Sequence, residues 1–358
     1  MRGETIQVFW DSYGILRGPG GIHVHASELK KNLAAIGTEV LITSPGGRRG
    51  VFGKLIDQSK ILAPHANFNE AKSSCRGRFL YHGLSNINLP VFSAGGRRRA
   101  CFVLTVHDLI PLLVRPGDVS LASRVQFALL LPKALKLADR IVVVSNWTRD
   151  TLLERFPFAA SKTQVIPNGF PAFSCETPKP AEQPAAGPLR LLTVGRSEPY
   201  KRHRLFLEVI RLAAGTLKGV LVTAGLPAED RALAEELVAQ GSLDVVVNPS
   251  HDALVRLYRS TDIYLQTSLF EGFCLPAAEA QAFGNPVVFT SGSAVDEIVD
   301  PKGGKSLPPA ADAREWLEAV QHTAESLPER RLAALAWANS RPHWLDAAKS
   351  LKNLYNSL

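Results

Sequence analysis

Two pairs of charged residues in this sequence are spaced to do chemistry together. Glu271 and Glu279 lie in segment 268–286, SLFEGFCLPAAEAQAFGNP, and Arg196 and Lys201 in segment 191–201, LLTVGRSEPYK. Carboxylates accept hydrogen bonds from hydroxyl groups such as those of a sugar. Cations fixed beside a phosphate stabilise the charge that develops as it leaves. Glu271 follows a predicted strand and so occupies a strand-to-helix loop. Pro276 sits where a helix would start, because its missing N–H costs nothing there. Glu279 then falls in or near the first turn, and Gly284 ends the helix before Pro286 opens the next strand. A helix N-terminus at the carboxyl edge of a sheet offers backbone N–H groups to an anion. Taken singly, each residue also has a plain structural explanation. Glu279 could complement the helix dipole, Glu271 could be solvated, and Arg196 and Lys201 could be surface cations.

Two further segments carry candidates. Segment 105–111, TVHDLIP, puts His107 just past a predicted strand, with Asp108 placed to orient it or to cap the following turn. Segment 18–25, GPGGIHVH, puts Gly20 and Gly21 between the first strand and the first helix, where glycines allow positive φ and their N–H groups can form an anion nest. It is not G-x-G-x-x-G, so it does not argue for a dinucleotide site. His23 and His25 are read as exposed helix residues in preference to acceptor contacts. Gly195 lets the chain turn tightly after Val194.

Positioning these groups requires strands and helices in alternation. Strands are predicted over 6–10, 39–43, 101–106, 140–144, 164–166, 189–194, 219–224, 244–247, 263–266 and 286–290. Helices are predicted over 24–36, 149–155, 202–214, 228–240, 251–259, 275–283 and 343–358. Such alternation argues for parallel sheets covered on both faces. Segment 171–188, PAFSCETPKPAEQPAAGP, has a linker composition and splits the chain into two α/β halves. The predicted domains are 1–172, a linker over 173–188, 189–341, and a terminal helix over 342–358 packing back on the first domain. A ligand is expected between the halves, at the carboxyl ends of strands.

The glutamate segment resembles the E-x7-E signature of family-4 glycosyltransferases, EGFG-L-P-x-x-E-A-x-x-x-G. It matches at Glu271, Gly272, Phe273, Leu275, Pro276, Glu279, Ala280 and Gly284, and departs at Cys274, where the family usually has Gly. Segment 191–201 resembles the family's G-R-x4-K motif, with Arg202 where a Gly often follows. TVHDLIP resembles mannosyltransferases in particular, and Gly20 and Gly21 match the family's Gly-Gly loop. VSNWT (144–148), VIPNGF (165–170), YHGLSNINLP (81–90) and SGSAVDEI (291–298) resemble further family segments. The resemblance implies the GT-B fold, an α/β architecture of two Rossmann-like doubly wound domains facing across a cleft. It implies retaining transfer of a hexose from a nucleoside-diphosphate sugar, with GDP-mannose as the first donor suggested, to a saccharide acceptor. Glu271 would face the sugar, Glu279 would hold the ribose hydroxyls, and Arg196 and Lys201 would neutralise the diphosphate. His107 would contact the sugar, while Gly20, Gly21, Gly195, Gly272, Phe273, Cys274 and Leu275 would line the donor. Neither a cofactor nor a metal ion is expected, since the chain has no D-x-D pair. A non-catalytic nucleotide-sugar-binding subunit and a GT-B epimerase are the alternatives.

Composition bounds the partners. The chain has 358 residues, with 46% hydrophobic and 21% charged residues, as in soluble two-domain proteins. Cys75, Cys101, Cys175 and Cys274 match no zinc spacing and suggest no disulfide framework. No apolar run or leader-like start is evident, so a cytoplasmic location is expected. The net charge of +8 is uneven. Residues 1–175 hold 22 Lys+Arg against 11 Asp+Glu, so the first half carries the whole excess. Together with Arg97, Arg98, Arg99 and the apolar-basic stretch 124–140, this fits a lipid-linked acceptor, such as a polyprenyl-diphosphate saccharide, at the anionic inner face of the plasma membrane. For 124–140 a buried helix is the other reading. No motif supports nucleic-acid binding.

Overall fold

The computed structural model describes residues 6–11, 20–43, 62–92, 99–171 and 187–358, and twelve strands lie among them. The first six are β1 (Gln7–Asp11), β2 (Leu41–Thr43), β3 (Phe79–Gly83), β4 (Ala100–Val106), β5 (Arg140–Val143) and β6 (Thr163–Val165). They form a parallel sheet in the order β2-β1-β3-β4-β5-β6. The others are β7 (Leu189–Val194), β8 (Leu217–Thr223), β9 (Leu243–Val247), β10 (Ile263–Gln266), β11 (Val287–Thr290) and β12 (Lys305–Leu307). They form a second parallel sheet in the order β12-β11-β10-β7-β8-β9. The predicted doubly wound α/β class is therefore observed. The chain divides into two units: one runs to Leu113 and adds Ser120–Gly169 and Pro342–Leu358, and the other takes Val114–Val119 and Phe170–Arg341. Most of the predicted linker lies outside the described residues.

Parallel strands are buried on both faces, and the second sheet shows how the sequence achieves this. Successive residues point to opposite sides. Leu191, Leu221, Ile263, Leu265 and Val288 pack with Phe206, Ile210 and Trp316 on one face. Leu192, Val220, Val222, Tyr264, Val287 and Phe289 pack with Tyr258, Ala277 and Ala280 on the other. The second face carries the helix Leu275–Ala282, whose N-terminus belongs to the glutamate segment.

Two strands escaped sequence pattern. β3 holds Phe79, Leu80, Tyr81, His82 and Gly83, all buried, but its polar members and the Ser85–Asn88 loop hide it. The short edge strand β12 has only three residues, none fully buried. The stretch 124–140 also resolves. The helix Leu121–Leu137 buries Phe127, Leu130, Leu131, Ala134 and Leu135. Its other side exposes Leu121 (75%), Val125 (45%) and Leu129 (61%), one above another at i, i+4 and i+8. The helix is apolar on both sides. No described helix is long and apolar enough to cross a membrane.

In the first unit the terminal helix Trp344–Asn356 is tied to the sheet. Trp10 Nε1 donates to Tyr355 Oη (3.0 Å), which also meets His82 Nδ1 (2.6 Å). A Cβ at Gly169 would collide with the backbone of Trp344, so that approach requires glycine.

Candidate functional site

In the second sheet the strand order reverses between β7 and β10, which are neighbours although two strands separate them in the chain. The loops leaving their carboxyl ends therefore meet at a switch point, where open α/β sheets bind ligands. The Gly195–Arg202 loop and the Thr267–Cys274 loop are stitched together. Leu269 N donates to Tyr200 O (2.9 Å), Thr267 Oγ1 to Lys201 O (2.7 Å) and Arg202 Nε to Thr267 O (2.7 Å). The outcome is an ion pair, Lys201 Nζ to Glu271 Oε1 at 2.6 Å, with side chains only 15% and 11% exposed. Burial pulls the Lys201 pKa down, but the facing Glu271 carboxylate more than offsets it, so the ammonium is held above its ordinary range.

Glu271 Oε1 also accepts from Gln266 Nε2 (2.7 Å), a residue on β10 that sequence pattern did not single out. Its only signal was an amide at the end of an otherwise apolar strand. Glu279 is the fifth residue of the helix Leu275–Ala282, so it lies past the first turn. Its Oε2 accepts from Tyr258 Oη at 2.8 Å. Burial pushes the Glu279 carboxyl up to about 7, although the Tyr258 hydrogen bond works in the other direction. The helix ends as predicted: Gly284 takes φ +74, its N–H reaches Gln281 O, and Asn285 N reaches Ala280 O.

Both departures from the family pattern fall where the backbone is left-handed. Cys274 has φ 78 and Arg202 φ 53. A side chain there costs energy that glycine avoids. Arg202 offsets it with hydrogen bonds to Thr267 O, Pro309 O and Thr290 Oγ1. Cys274 is buried and packs with Tyr258, Tyr264 and Ala277 against the sheet. Burial, with the nearby Glu271 carboxylate, keeps its thiol far above the usual range.

The remaining candidates of this unit are less tightly gathered. Arg196 is 68% exposed and pairs with Glu198 at 3.1 Å, not with Glu271. Gly195 follows β7, where a Cβ would meet His203 Nε2 at 3.2 Å. Gly272, Phe273 and Leu275 are buried beside Glu271, with the Phe273 ring 6.3 Å from Phe170. A hollow of about 550 Å³ lies against the same loop and is lined by Arg202, His203, Glu208 and Asp230. It includes none of Lys201, Glu271 or Glu279, so the site is placed by side-chain geometry rather than by hollow size.

In the first unit the family-like segments converge on His107. Its Nε2 faces Leu84 O (2.9 Å), its backbone N–H donates to Asn86 Oδ1 (2.6 Å), and its carbonyl accepts from Thr148 Oγ1 (3.2 Å). Burial lowers its pKa to about 4, so the ring is neutral. Because a carbonyl only accepts, Nε2 carries the proton and Nδ1 is the acceptor. His25 corrects an expectation. It is not exposed but 3% accessible, bonded to Asn168 Oδ1 at 2.7 Å, with its ring edge-on to His107 at 4.7 Å. The helix Gly21–Ala35 turns that position inward, while His23 is exposed. Asp108 caps the next turn, accepting from Ile110 N (2.9 Å). Gly20 and Gly21 are exposed at the start of that helix. A Cβ at Gly20 would meet nothing within 4 Å, so packing does not demand glycine there. Gly18 and Pro19 lie outside the described residues. So do Arg97 and Arg98, whereas Arg99 is committed to Cys75 O and Arg76 O.

Parallel doubly wound sheets with paired loops at a switch point are the architecture of nucleotide-binding α/β proteins. Comparison with known proteins narrows the class. The family description "Glycosyl transferases group 1" matches residues 176–333, and "Glycosyltransferase Family 4" matches residues 19–172. The chain belongs to the family-4 glycosyltransferases of the GT-B fold. It is similar to D-inositol 3-phosphate glycosyltransferase of Mycobacterium sp. (strain JLS), 30% identical over 55% of this chain and 46% of the relative. The match thus spans about half the length of that relative. It is also similar to O-antigen chain mannosyltransferase B of Escherichia coli, 26% identical over 76% of this chain and 74% of the relative. Among solved structures, sucrose-phosphate synthase of Thermosynechococcus elongatus has a TM-score of 0.76 at 19% identity, covering 99% of both chains. HepE of Anabaena in complex with UDP-glucose has a TM-score of 0.74 at 17% identity, covering 99% of this chain and 100% of that one. At these identities the structures show the fold alone.

Proposed function

We propose that this chain is a retaining glycosyltransferase that moves a hexose from a nucleoside-diphosphate sugar to a saccharide acceptor. The observation that carries the proposal is the Lys201–Glu271 pair at the β7/β10 switch point, with Glu279 on the helix that follows. Lys201 neutralises charge on the departing diphosphate, aided by Arg196 once it leaves Glu198. Glu271 accepts from sugar hydroxyls, and Glu279 from the ribose. His107 accepts from the sugar at Nδ1. Both glutamates are positioning groups, so we favour a front-face route in which the leaving phosphate helps deprotonate the acceptor hydroxyl, over double displacement through a carboxylate. Neutralisation by Arg196, Lys201 and the helix N-terminus takes the place of a divalent ion.

GDP-mannose is the first donor to test, supported by the His107 segment and by a relative named as a mannosyltransferase. UDP-glucose is the second, because it is the molecule in the HepE structure. The acceptor we propose is lipid-linked, such as a polyprenyl-diphosphate saccharide, met at the inner face of the plasma membrane in surface-glycan assembly. Support comes from the basic first half and from the outward Leu121–Val125–Leu129 stripe, continued by the exposed Lys133 and Lys136. The test is a thermal-shift screen of nucleotide sugars followed by a transfer assay with the stabilising donor. A donor that binds and is consumed with retained anomeric configuration supports the proposal. Binding without transfer would favour a nucleotide-sugar-binding subunit, and conversion of the donor to its epimer would favour an epimerase.

A further inference from the structure

Glu271 faces the Lys201 ammonium at 2.6 Å, and a carboxylate in an ion pair only accepts hydrogen bonds. Gln266 must therefore turn its NH₂ group toward Glu271 Oε1 (2.7 Å), and its second N–H reaches Ser268 Oγ (2.7 Å). This leaves Gln266 Oε1 facing Tyr264 Oη at 2.9 Å, so the phenol must donate. Tyr264 Oη in turn accepts from Val194 N (3.3 Å), the last residue of β7. Burial holds the phenol far above its usual range, so it stays a donor. Tyr264 is 0% exposed and Gln266 3%, and both point to the same face of β10 because they are two residues apart. Along the path from Val194 N–H through Tyr264 Oη and Gln266 to Glu271 Oε1 each donor faces the carboxylate, with Val194 O, 3.4 Å from Tyr264 Oη, as the longer alternative acceptor for the phenol. Such a chain polarises along its length. Lys201 and Gln266 both bond Oε1, and no described residue bonds Oε2.

We propose that Gln266, held by Tyr264, is a positioning residue that fixes the Glu271 carboxylate so that Oε2 meets the transferred sugar. This rests on the donor assignment above. The nucleoside diphosphate is assigned to Lys201, Arg196 and Glu279, none of which bonds Gln266 directly, so only the sugar's share of donor recognition passes through Gln266.

The test compares wild type with Gln266→Leu, Gln266→Glu and the milder Tyr264→Phe, with folding checked by circular dichroism. GDP and UDP affinities are measured by calorimetry beside those of GDP-mannose and UDP-glucose, together with kcat/KM across pH. Hydrogen bonds to charged groups imply that Gln266→Leu lowers nucleotide-sugar affinity and kcat/KM by roughly 10- to 100-fold while GDP or UDP affinity holds. Tyr264→Phe has a smaller effect in the same direction. Gln266→Glu places two carboxylates in hydrogen-bond contact, so one must hold a proton, and its activity falls as pH rises in a range where the wild type does not respond. Equal loss of nucleotide and nucleotide-sugar affinity would overturn the proposal by marking a merely structural role. So would wild-type pH profiles and sugar affinities in all three variants. A wild-type protein that binds neither donor overturns the donor assignment itself, and the wild-type titration alone reveals it.

Discussion

Lys201 and Glu271 are 70 positions apart in the chain and 2.6 Å apart in space. Two neighbouring parallel strands bring them together, and three hydrogen bonds between their loops keep them there. On the proposed assignment, the cation for the diphosphate rests on the carboxylate for the sugar.

Replacing Lys201 with Ala removes the charge stabilisation and leaves Glu271 without its cation. Turnover should fall roughly 100- to 1,000-fold, the scale of losing one transition-state stabiliser. The melting temperature should also fall, because a largely buried carboxylate loses its partner. Adding Glu271→Gln to Lys201→Ala should restore the melting temperature but not turnover. Normal turnover in Lys201→Ala would remove Lys201 from the chemistry.

Glu279 sets a pH dependence. Its folded pKa of about 7 lies above the ordinary 4.5, so the folded state holds the proton more tightly than the unfolded chain. The stability this contributes is complete below about pH 4.5 and is lost as pH rises through 7. Nucleotide affinity runs the other way, because ribose hydroxyls donate best to the ionised form. Calorimetry across that window should show affinity rising through pH 7. Tyr258→Phe, which removes the hydrogen bond stabilising the carboxylate, should move the midpoint upward. An unshifted midpoint would contradict the assignment.

Cys274 tests the left-handed turn. Cys274→Gly should change stability by no more than about 1 kcal/mol, since relief of backbone strain offsets lost packing. Cys274→Val should cost more, because a β-branched residue is a true outlier at positive φ. Denaturant unfolding of the two variants would rank them, and a Val variant as stable as wild type would show that the turn can rearrange.

Acid should loosen the first unit before the second sheet's core. His82 is fully buried between Tyr355 and Thr105, and burial with the nearby His107 lowers its pKa to about 3. The folded state therefore binds fewer protons than the unfolded one, and stability falls as pH drops from 6.5 toward 3. Melting temperature should decline over that range, less steeply in His82→Gln. Amide exchange of the helix Trp344–Asn356 should quicken first on acidification.

The apolar stripe predicts membrane behaviour. Leu121→Gln, Val125→Gln and Leu129→Gln combined should abolish flotation with anionic vesicles and leave transfer to a water-soluble acceptor intact. Equal flotation by the triple variant would take the membrane contact away from this helix.

Much of this protein was legible in sequence because local rules wrote it. Ten strand segments and the helix that begins at Leu275 follow from side-chain period, proline and glycine, each acting within a few residues. Glu271, Glu279, Lys201 and Gly195 followed from motif spacing. β3 did not, because a strand buried on both faces can carry Tyr, His and Gly without showing alternation.

Tertiary structure decided the pairing. The order β12-β11-β10-β7-β8-β9 puts Lys201 against Glu271, while Arg196 is left on Glu198. It turned His25 inward, and it made Tyr258 a partner of Glu279 and Gln266 a partner of Glu271, with Tyr264 behind Gln266. Sequence determines which residues can ionise, donate or cap, because those are properties of one side chain and its neighbours in the chain. Which donor meets which acceptor depends on strand order and pleat direction, and those are settled only when the sheet closes around its core.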